Sequence, residues 1–473
     1  MSYEAAFDAL KNGDFPAAVP LLEKAARETG FESDVINNAY TLALYRVGDK
    51  ARLAEIASSI GELLWPHDPA TAMDYFQRAL TADLDQERVR RIAELFEEFA
   101  EPFRAQSRLN LEKVSRVAHV IGSLVPAHPT TKYIKMLVSS LRKRGIESTI
   151  FTTESEASWF FNPVKAAQSQ EVELDAEIKI ASVEGDFVER ADGIGHALRE
   201  SAIQVAFFHA GLNDQISTRV AAMRPVPLQI RVNDGGGMDA DLFDGQVYLS
   251  QNAMERSRFS HPAEWIPYAS DIETRLQFST PVTRQEMGLE SASTISATFT
   301  DLHNIAGSSY LRVLTEIMNR FPKHFHLFVG GGNVRAFRSQ LHTAGVLPRV
   351  RFLGQVSEVA PLMNVIDVYL APFPHSGSQS ILEAMGSGKP VVVMRSAPDS
   401  QYNTAAELVA VKELLVPTEA NYIEIADRLL RNPEFRAKQA QAMLDRFRAE
   451  FQPDRLGERY KAFLAPFQGA RRG

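Results

Sequence analysis

The chain has 473 residues, 45% of them hydrophobic and 23% charged, which is a globular composition too long for one ordinary domain and points to about three. A formal net charge of −8 gives no global attraction for nucleic acid or anionic membrane. The lack of cysteine excludes disulfides, thiolate catalysis and cysteine-based metal sites.

No apolar run approaches the roughly 20 residues that span a bilayer, so no transmembrane segment is expected. The opening "MSYEAAFDALKNGDFPAAV" has no basic stretch leading into an apolar one, and a cytoplasmic protein is expected. Residues 1–114 carry helical patterns. "YEAAFDALKNGDFPAAVPLLEKAARETG" reads as two amphipathic helices joined at Asn12-Gly13-Asp14, with Ala6, Leu10, Ala18, Leu21, Leu22 and Ala25 at helical spacing. Asp68 is a candidate N-cap before Pro69. These pairs resemble tetratricopeptide repeats, but the matching Ala18 and Ala72 do not sit a whole number of about 34-residue periods apart. The domain reads as tetratricopeptide-like, either a cap on the next domain or a surface for an acceptor or partner protein.

From residue 116 the texture changes. "RVAHVIGSLVP" reads as a strand, "TTKYIKMLVSSLRKRG" as a helix stopped by Gly145, and "IESTIFTTE" as a second strand. "ADGIGHALRESAIQVAFFHAG" repeats the unit. A second series starts near 292 with "STISATFTD", "SSYLRVLTEIMNRFP", "HFHLFVGGG" and "VRAFRSQLHTAG", and continues through "DVYLAPF" to "PVVVM". Alternating strands and helices give parallel sheets covered by helices. The expectation is α/β: two doubly wound, Rossmann-like domains over 115–285 and 286–473, behind an all-helical domain over 1–114. Such sheets bind ligands at the carboxyl ends of their strands.

"PHSGSQSILEAMGSGKPVVVM", residues 374–394, runs from small polar residues into a helix. Asp367 to Phe373 reads as a strand and the helix as starting near Ile381, so Ser376, Gly377, Ser378, Gln379 and Ser380 would lie at its N-terminus, with His375 in the loop ahead, where its imidazole could touch a diphosphate or sugar. Free amides and the positive end of the helix dipole suit a diphosphate there. Glu383, one turn in, suits the paired hydroxyls of a ribose. Together these ask for a nucleotide, although small polar residues before a helix often serve only as a cap. Gly330–Gly332 allow close backbone approach, with Gly331 a candidate ligand contact. "DADLFD" (239–244) is expected to be a solvated loop, and His196 a surface residue. No catalytic metal is expected.

"SILEAMGSGKPVVV" resembles the donor-site helix of GT-B glycosyltransferases. In order along residues 116–394, "HPTTKYIKMLVSSL", "VAFFHAGLNDQISTRVAAMRPVPLQIRVNDG", "HPAEWIPYASD" and "ISATFTDLHNIAGSSYLRVLTEIMNRFP" are similar to segments of the protein O-GlcNAc transferase family. "DVYLAPFPHSGSQS" is nearer the bacterial N-glycosyltransferases that modify adhesins, which also carry a helical domain in front. The resemblance implies a GT-B fold and a metal-independent, inverting transfer of sugar from a nucleotide sugar, such as a UDP-sugar, to a protein or peptide. It implies no further cofactor. It places Asn304 where the family has a phosphate-binding lysine, and His375 where many relatives have a first glutamate. Lys389, Arg335 or the helix end would then have to compensate. His128 and His209, each following a strand of the first α/β domain, are the candidates for the base that activates the acceptor. A polysaccharide or lipid-glycan acceptor, a nucleotide-sugar 2-epimerase and a non-catalytic nucleotide-binding scaffold are the alternatives.

Overall fold

The computed structural model describes residues 2–83, 85–104, 111, 113–124, 129–154, 172, 174, 176–180, 185–211, 214–233, 241–289, 294–395 and 404–469. Six helices come first: α1 (Ser2–Lys11), α2 (Phe15–Glu28), α3 (Asp34–Val47), α4 (Lys50–Leu64), α5 (Pro69–Ala82) and α6 (Gln86–Arg104). The break between α1 and α2 falls at the expected turn, where Gly13 takes a φ of +73° and Asp14 caps α2 by accepting from Ala17 N–H. Asp68 caps α5 in the same way, accepting from Thr71 N–H at 3.1 Å.

The six helices do not share one core. Helices α1 to α3 pack around Leu22, Tyr40 and Leu44. Helix α6 buries Val89, Ile92, Ala93, Phe96 and Ala100, an i, i+3, i+4, i+7 stripe. That stripe and the buried face of α5 share a core with Ala118, Val120, Ala206 and Phe208 of the next unit. Burying one such Phe contributes about 1.5–3 kcal/mol. The rear of the helical domain therefore acts as a cap on the sheet behind it.

That middle unit runs β1 (Arg116–Ile121), α7 (Pro129–Arg142), β2 (Glu147–Thr152), β3 (Glu177–Ile180), α8 (Phe187–Glu200), β4 (Val205–Phe208), α9 (Gln215–Ala222), β5 (Leu228–Asn233), β6 (Gly245–Tyr248), α10 (Gln251–Arg256) and β7 (Ala263–Trp265). Helix α11 (Ile272–Phe278) leads into the last unit: β8 (Thr294–Phe299), α12 (Tyr310–Arg320), β9 (His324–Val329), α13 (Val334–Thr343), β10 (Val350–Phe352), α14 (Ala360–Met363), β11 (Val368–Leu370), α15 (Ser378–Gly386), β12 (Val391–Met394), α16 (Thr404–Val409) and β13 (Leu415–Val416). Helices α17 (Glu419–Arg431), α18 (Pro433–Glu450) and α19 (Pro453–Leu464) follow. Both sheets are parallel, in the orders β3-β2-β1-β4-β5-β6-β7 and β10-β9-β8-β11-β12-β13. Their strand order reverses between β1 and β4 in one and between β8 and β11 in the other, which opens a crevice at the carboxyl ends of those strands.

Several expectations are corrected. The strand expected over 367–373 is shorter, and α15 begins at Ser378, so Ser378, Gln379 and Ser380 form its first turn. Residues 286–473 are not one unit. Leu456, Tyr460, Phe463 and Leu464 of α19 complete the core of the middle unit, where Tyr460 Oη meets Tyr133 Oη at 2.7 Å. Asp244 of the "DADLFD" loop is buried, not solvated, and is held by Arg224 Nη2 at 2.8 Å from each carboxylate oxygen.

Candidate functional site

Of the residues singled out from sequence, Asn304, Gly331, the 375–380 turn and Glu383 follow strands of the second sheet, and His209 follows β4 of the first. Asn304 lies in a single 3-10 turn, Leu302–Ile305, just past the end of β8, and its Nδ2 donates to Thr300 Oγ1 at 3.3 Å. The neighbouring loop after β9 is stitched to it. Gly331 N–H donates to Asp301 Oδ1 at 2.8 Å, and Leu302 N–H donates to Gly331 O at 2.9 Å. Gly330 has a φ of +145°, and a Cβ there would lie 2.0 Å from Thr300 O, so only glycine lets the loops meet.

Past β11 the chain turns through His375 and Ser376 into α15. Its cap is Gly377, which has no side chain to lay over the first-turn amides. Ser380 lies beside the phenol of Tyr369 on β11. Gln379 is buried and donates from Nε2 to Ser270 Oγ at 3.2 Å, while among the described residues its buried Oε1 has no hydrogen-bond partner. Ser270 belongs to the segment just ahead of α11, so the first turn of α15 is tied to the connection between the two sheets.

Glu383 is almost wholly buried and is not alone. Arg275 of α11 places Nη2 2.7 Å from Glu383 Oε1, and Lys132 of α7 places Nζ 3.3 Å from the same oxygen. Among the described residues, no ion pair or hydrogen bond engages Oε2. Arg275 also binds Glu358 Oε1 at 2.6 Å and Asp271 Oδ1 at 2.7 Å. Burial opposes its charge, but the carboxylates around it, Glu383 first, more than offset that and hold it protonated.

On the facing unit, His209 follows β4. Its Nε2 lies 2.9 Å from His119 Nδ1, and His119 Nε2 lies 3.3 Å from Ser148 Oγ, a chain across β4, β1 and β2. Burial first, and the neighbouring His119 second, hold the His209 imidazole well below its usual range. It is therefore neutral near pH 7 and a weak base, better suited to hydrogen bonding than to carrying away a proton. Tyr133 sets its ring edge against both His209 and Tyr268. Adjacent residues of α7 thus address the two sides of the crevice, Lys132 toward Glu383 and Tyr133 toward His209. His128, the other base candidate, lies outside the described residues.

Of the cations expected to compensate for Asn304, Lys389 is excluded as a cleft residue. It follows the carboxyl end of α15, and its nearest charges are Asp367, just ahead of β11, and Arg284, both at the amino ends of the strands. Arg335 is exposed at the start of α13. His196 is a surface residue, 3.1 Å from Glu200. Sequence reading missed Lys132, Arg275 and His119. The signal for Lys132 was present, a cation directly after "HPTT" at the start of a helix, whereas nothing in "DIETRLQF" marks Arg275.

Residues 302–432 match the family model described as Glycosyl transferases group 1. No curated protein matches the sequence. The fold is similar to that of an O-GlcNAc transferase mutant of Thermobaculum terrenum, with a TM-score of 0.56 at 16% identity, covering 98% of this chain and 96% of that one. It is also similar to Anabaena HepE solved with UDP and glucose, with a TM-score of 0.57 at 14% identity, covering 74% of this chain and 100% of that one. A glycosyltransferase of Rickettsia africae gives a TM-score of 0.58 at 11% identity over 76% of this chain and 100% of its own. At such identities the likeness speaks for the fold, and the first of these extends it through the helical domain. The chain thus has a GT-B fold, and residues 302–432 of its second α/β unit are similar to the family described as Glycosyl transferases group 1.

Proposed function

We propose that this protein transfers a glycosyl group from a nucleoside diphosphate sugar to a side chain of a protein or peptide, by an inverting mechanism that needs no metal. The observation that carries the reading is the pairing of an uncapped first turn of α15 with a buried Glu383 one turn further in, at the strand-order reversal of the domain that matches a glycosyltransferase family. UDP is the first donor nucleotide to try, because HepE structures of the same fold were solved with UDP.

In this reading the amides of Ser378, Gln379 and Ser380 face the diphosphate, and the helix dipole stabilises the charge that develops as the sugar leaves. Glu383 Oε2 accepts from a ribose hydroxyl. Gly331 and Asn304 close the site on the β8 and β9 side, Asn304 as a neutral donor. His375 and Ser376 line the approach to the sugar. His128 is assigned as the base and His209 as a neutral hydrogen-bonding partner for sugar or acceptor. The helical domain ahead of this cleft supports a protein acceptor.

The test is incubation of the purified chain with a panel of nucleotide sugars and peptide or protein acceptors, followed by mass analysis of acceptor and nucleotide. A mass gain of one sugar on the acceptor, with release of nucleoside diphosphate, supports the reading. A sugar added only to a lipid or oligosaccharide replaces the acceptor assignment. Conversion of the donor to its C2 epimer, or binding without any turnover, overturns transfer itself.

A further inference from the structure

Resting on the nucleotide site proposed above, we propose that Lys132, carried by the opposite α/β unit, supplies the cation that the donor diphosphate meets. The loop after β8, where the resemblance places a phosphate-binding lysine, has no lysine or arginine: the Asn304 amide is turned to Thr300 Oγ1, and the neighbouring His303 is an exposed imidazole. The exposed Arg335 lies on the α13 side of the crevice, and Lys389 sits at the far end of α15. Lys132 is in the first turn of α7, which follows β1, and reaches across the domain boundary to within 3.3 Å of Glu383 Oε1.

Two cations converge on that one oxygen, and they are not equivalent. Arg275 is the closer at 2.7 Å, and two further carboxylates fix it. Lys132 is the longer contact and the more exposed side chain, at 26% against 17% for Arg275. Glu383 keeps its charge balanced by Arg275 when Lys132 turns away. Lys132 is therefore the exchangeable partner. Its four-carbon stem lets the ammonium swing from Glu383 toward the first turn of α15, which lies one helical turn away and faces the same crevice. A nucleoside diphosphate would then take Glu383 with its ribose and Lys132 with its phosphates. Because Lys132 and Glu383 come from different units, donor binding also draws the two sheets to the same ligand.

The discriminating experiment is calorimetric titration of UDP, and of uridine in competition with it, into wild type, Lys132→Met and Lys132→Arg. Methionine keeps most of the stem volume and removes the charge. The expected result is UDP affinity about 10- to 100-fold weaker in Lys132→Met, with uridine affinity unchanged and Lys132→Arg close to wild type. The salt dependence of UDP binding should also be shallower in Lys132→Met. Unchanged UDP affinity in Lys132→Met overturns the proposal. So does an equal loss for UDP and uridine, which would mean that Lys132 acts by holding Glu383 in place. Failure of wild type to bind UDP, GDP or any other nucleoside diphosphate is a separate outcome, which removes the nucleotide site and this proposal with it.

Discussion

Arg275 on α11 and Glu383 on α15 meet at 2.7 Å, with both side chains largely buried, and this contact joins the connection between the two sheets to the donor-side helix. Breaking a buried pair from one side leaves an uncompensated charge, which costs about 3–5 kcal/mol. Arg275→Ala is therefore expected to lower the urea midpoint clearly, because it leaves the buried Glu383 only the longer contact to Lys132. Arg275→Lys should recover part of the loss through charge without the fork that reaches Glu358 and Asp271. Equal midpoints for wild type and Arg275→Ala would mean that the contact carries little of the fold's stability.

The two candidate histidines predict different losses. His209 is neutral and bonded to His119, so His209→Ala should lower transfer by about tenfold, the scale of one neutral hydrogen bond. His128→Ala should lower turnover by about 10²–10⁴-fold, the scale of a lost general base, with donor affinity barely changed. Steady-state kinetics on both variants checks this. A larger loss for His209→Ala than for His128→Ala reverses the assignment.

Acid should unfold this protein through its buried histidines. His119, His324 and His326 are fully buried, and burial pushes the first two down to about 3 and the third well below its usual range. In the unfolded chain each has a pKa near about 6.5. Between these values the unfolded state binds protons that the native state does not. Stability is therefore full above about pH 6.5 and falls as pH drops toward about 3, by up to ~1.4 kcal/mol per pH unit for each histidine. Urea unfolding between pH 7 and 4 should show this slope, and His324→Gln, which can keep a bond to Ser296, should reduce it. A flat profile over that range would contradict neutral burial of these rings.

The helical domain should not be removable as a piece. Its last two helices share a core with the first α/β sheet, through Phe76, Ile92 and Phe96 against Val120 and Phe208. Deleting residues 1–110 exposes that face of the sheet, so the remaining chain should aggregate or lose cooperative thermal unfolding. A truncated chain that stays monomeric and binds nucleotide as wild type does would contradict the shared core and favour a detachable acceptor module.

Much of this was legible in the sequence because it was local. Asp14 and Asp68 mark helix starts through their own side chains, and the alternation of valine-rich runs with amphipathic stretches carries the two parallel sheets. The serine-rich turn before α15 and the glycines after β9 were readable for the same reason. What was not legible depends on distance along the chain. Lys132 meets Glu383 across 251 residues and Arg275 meets it across 108, and neither has a local pattern that requires the contact. His119 lies inside a strand whose pattern does not reveal the ring beside it. The amphipathic stripe of α19 predicts that it is buried, but not that it returns to the middle unit. Asp244 read as solvated because its partner, Arg224, lies on the other side of a strand.

A nucleotide held by α15 and Glu383 can be measured by calorimetric titration of UDP into wild type and Glu383→Gln. Glutamine keeps the shape, and Arg275 keeps Glu358 and Asp271, so the variant should stay folded. Losing a charge-assisted bond to a ribose hydroxyl, worth about 1.5–3 kcal/mol, should weaken UDP by about 10- to 100-fold. Identical UDP affinity in a folded Glu383→Gln, or no binding of any nucleoside diphosphate by wild type, would contradict the account.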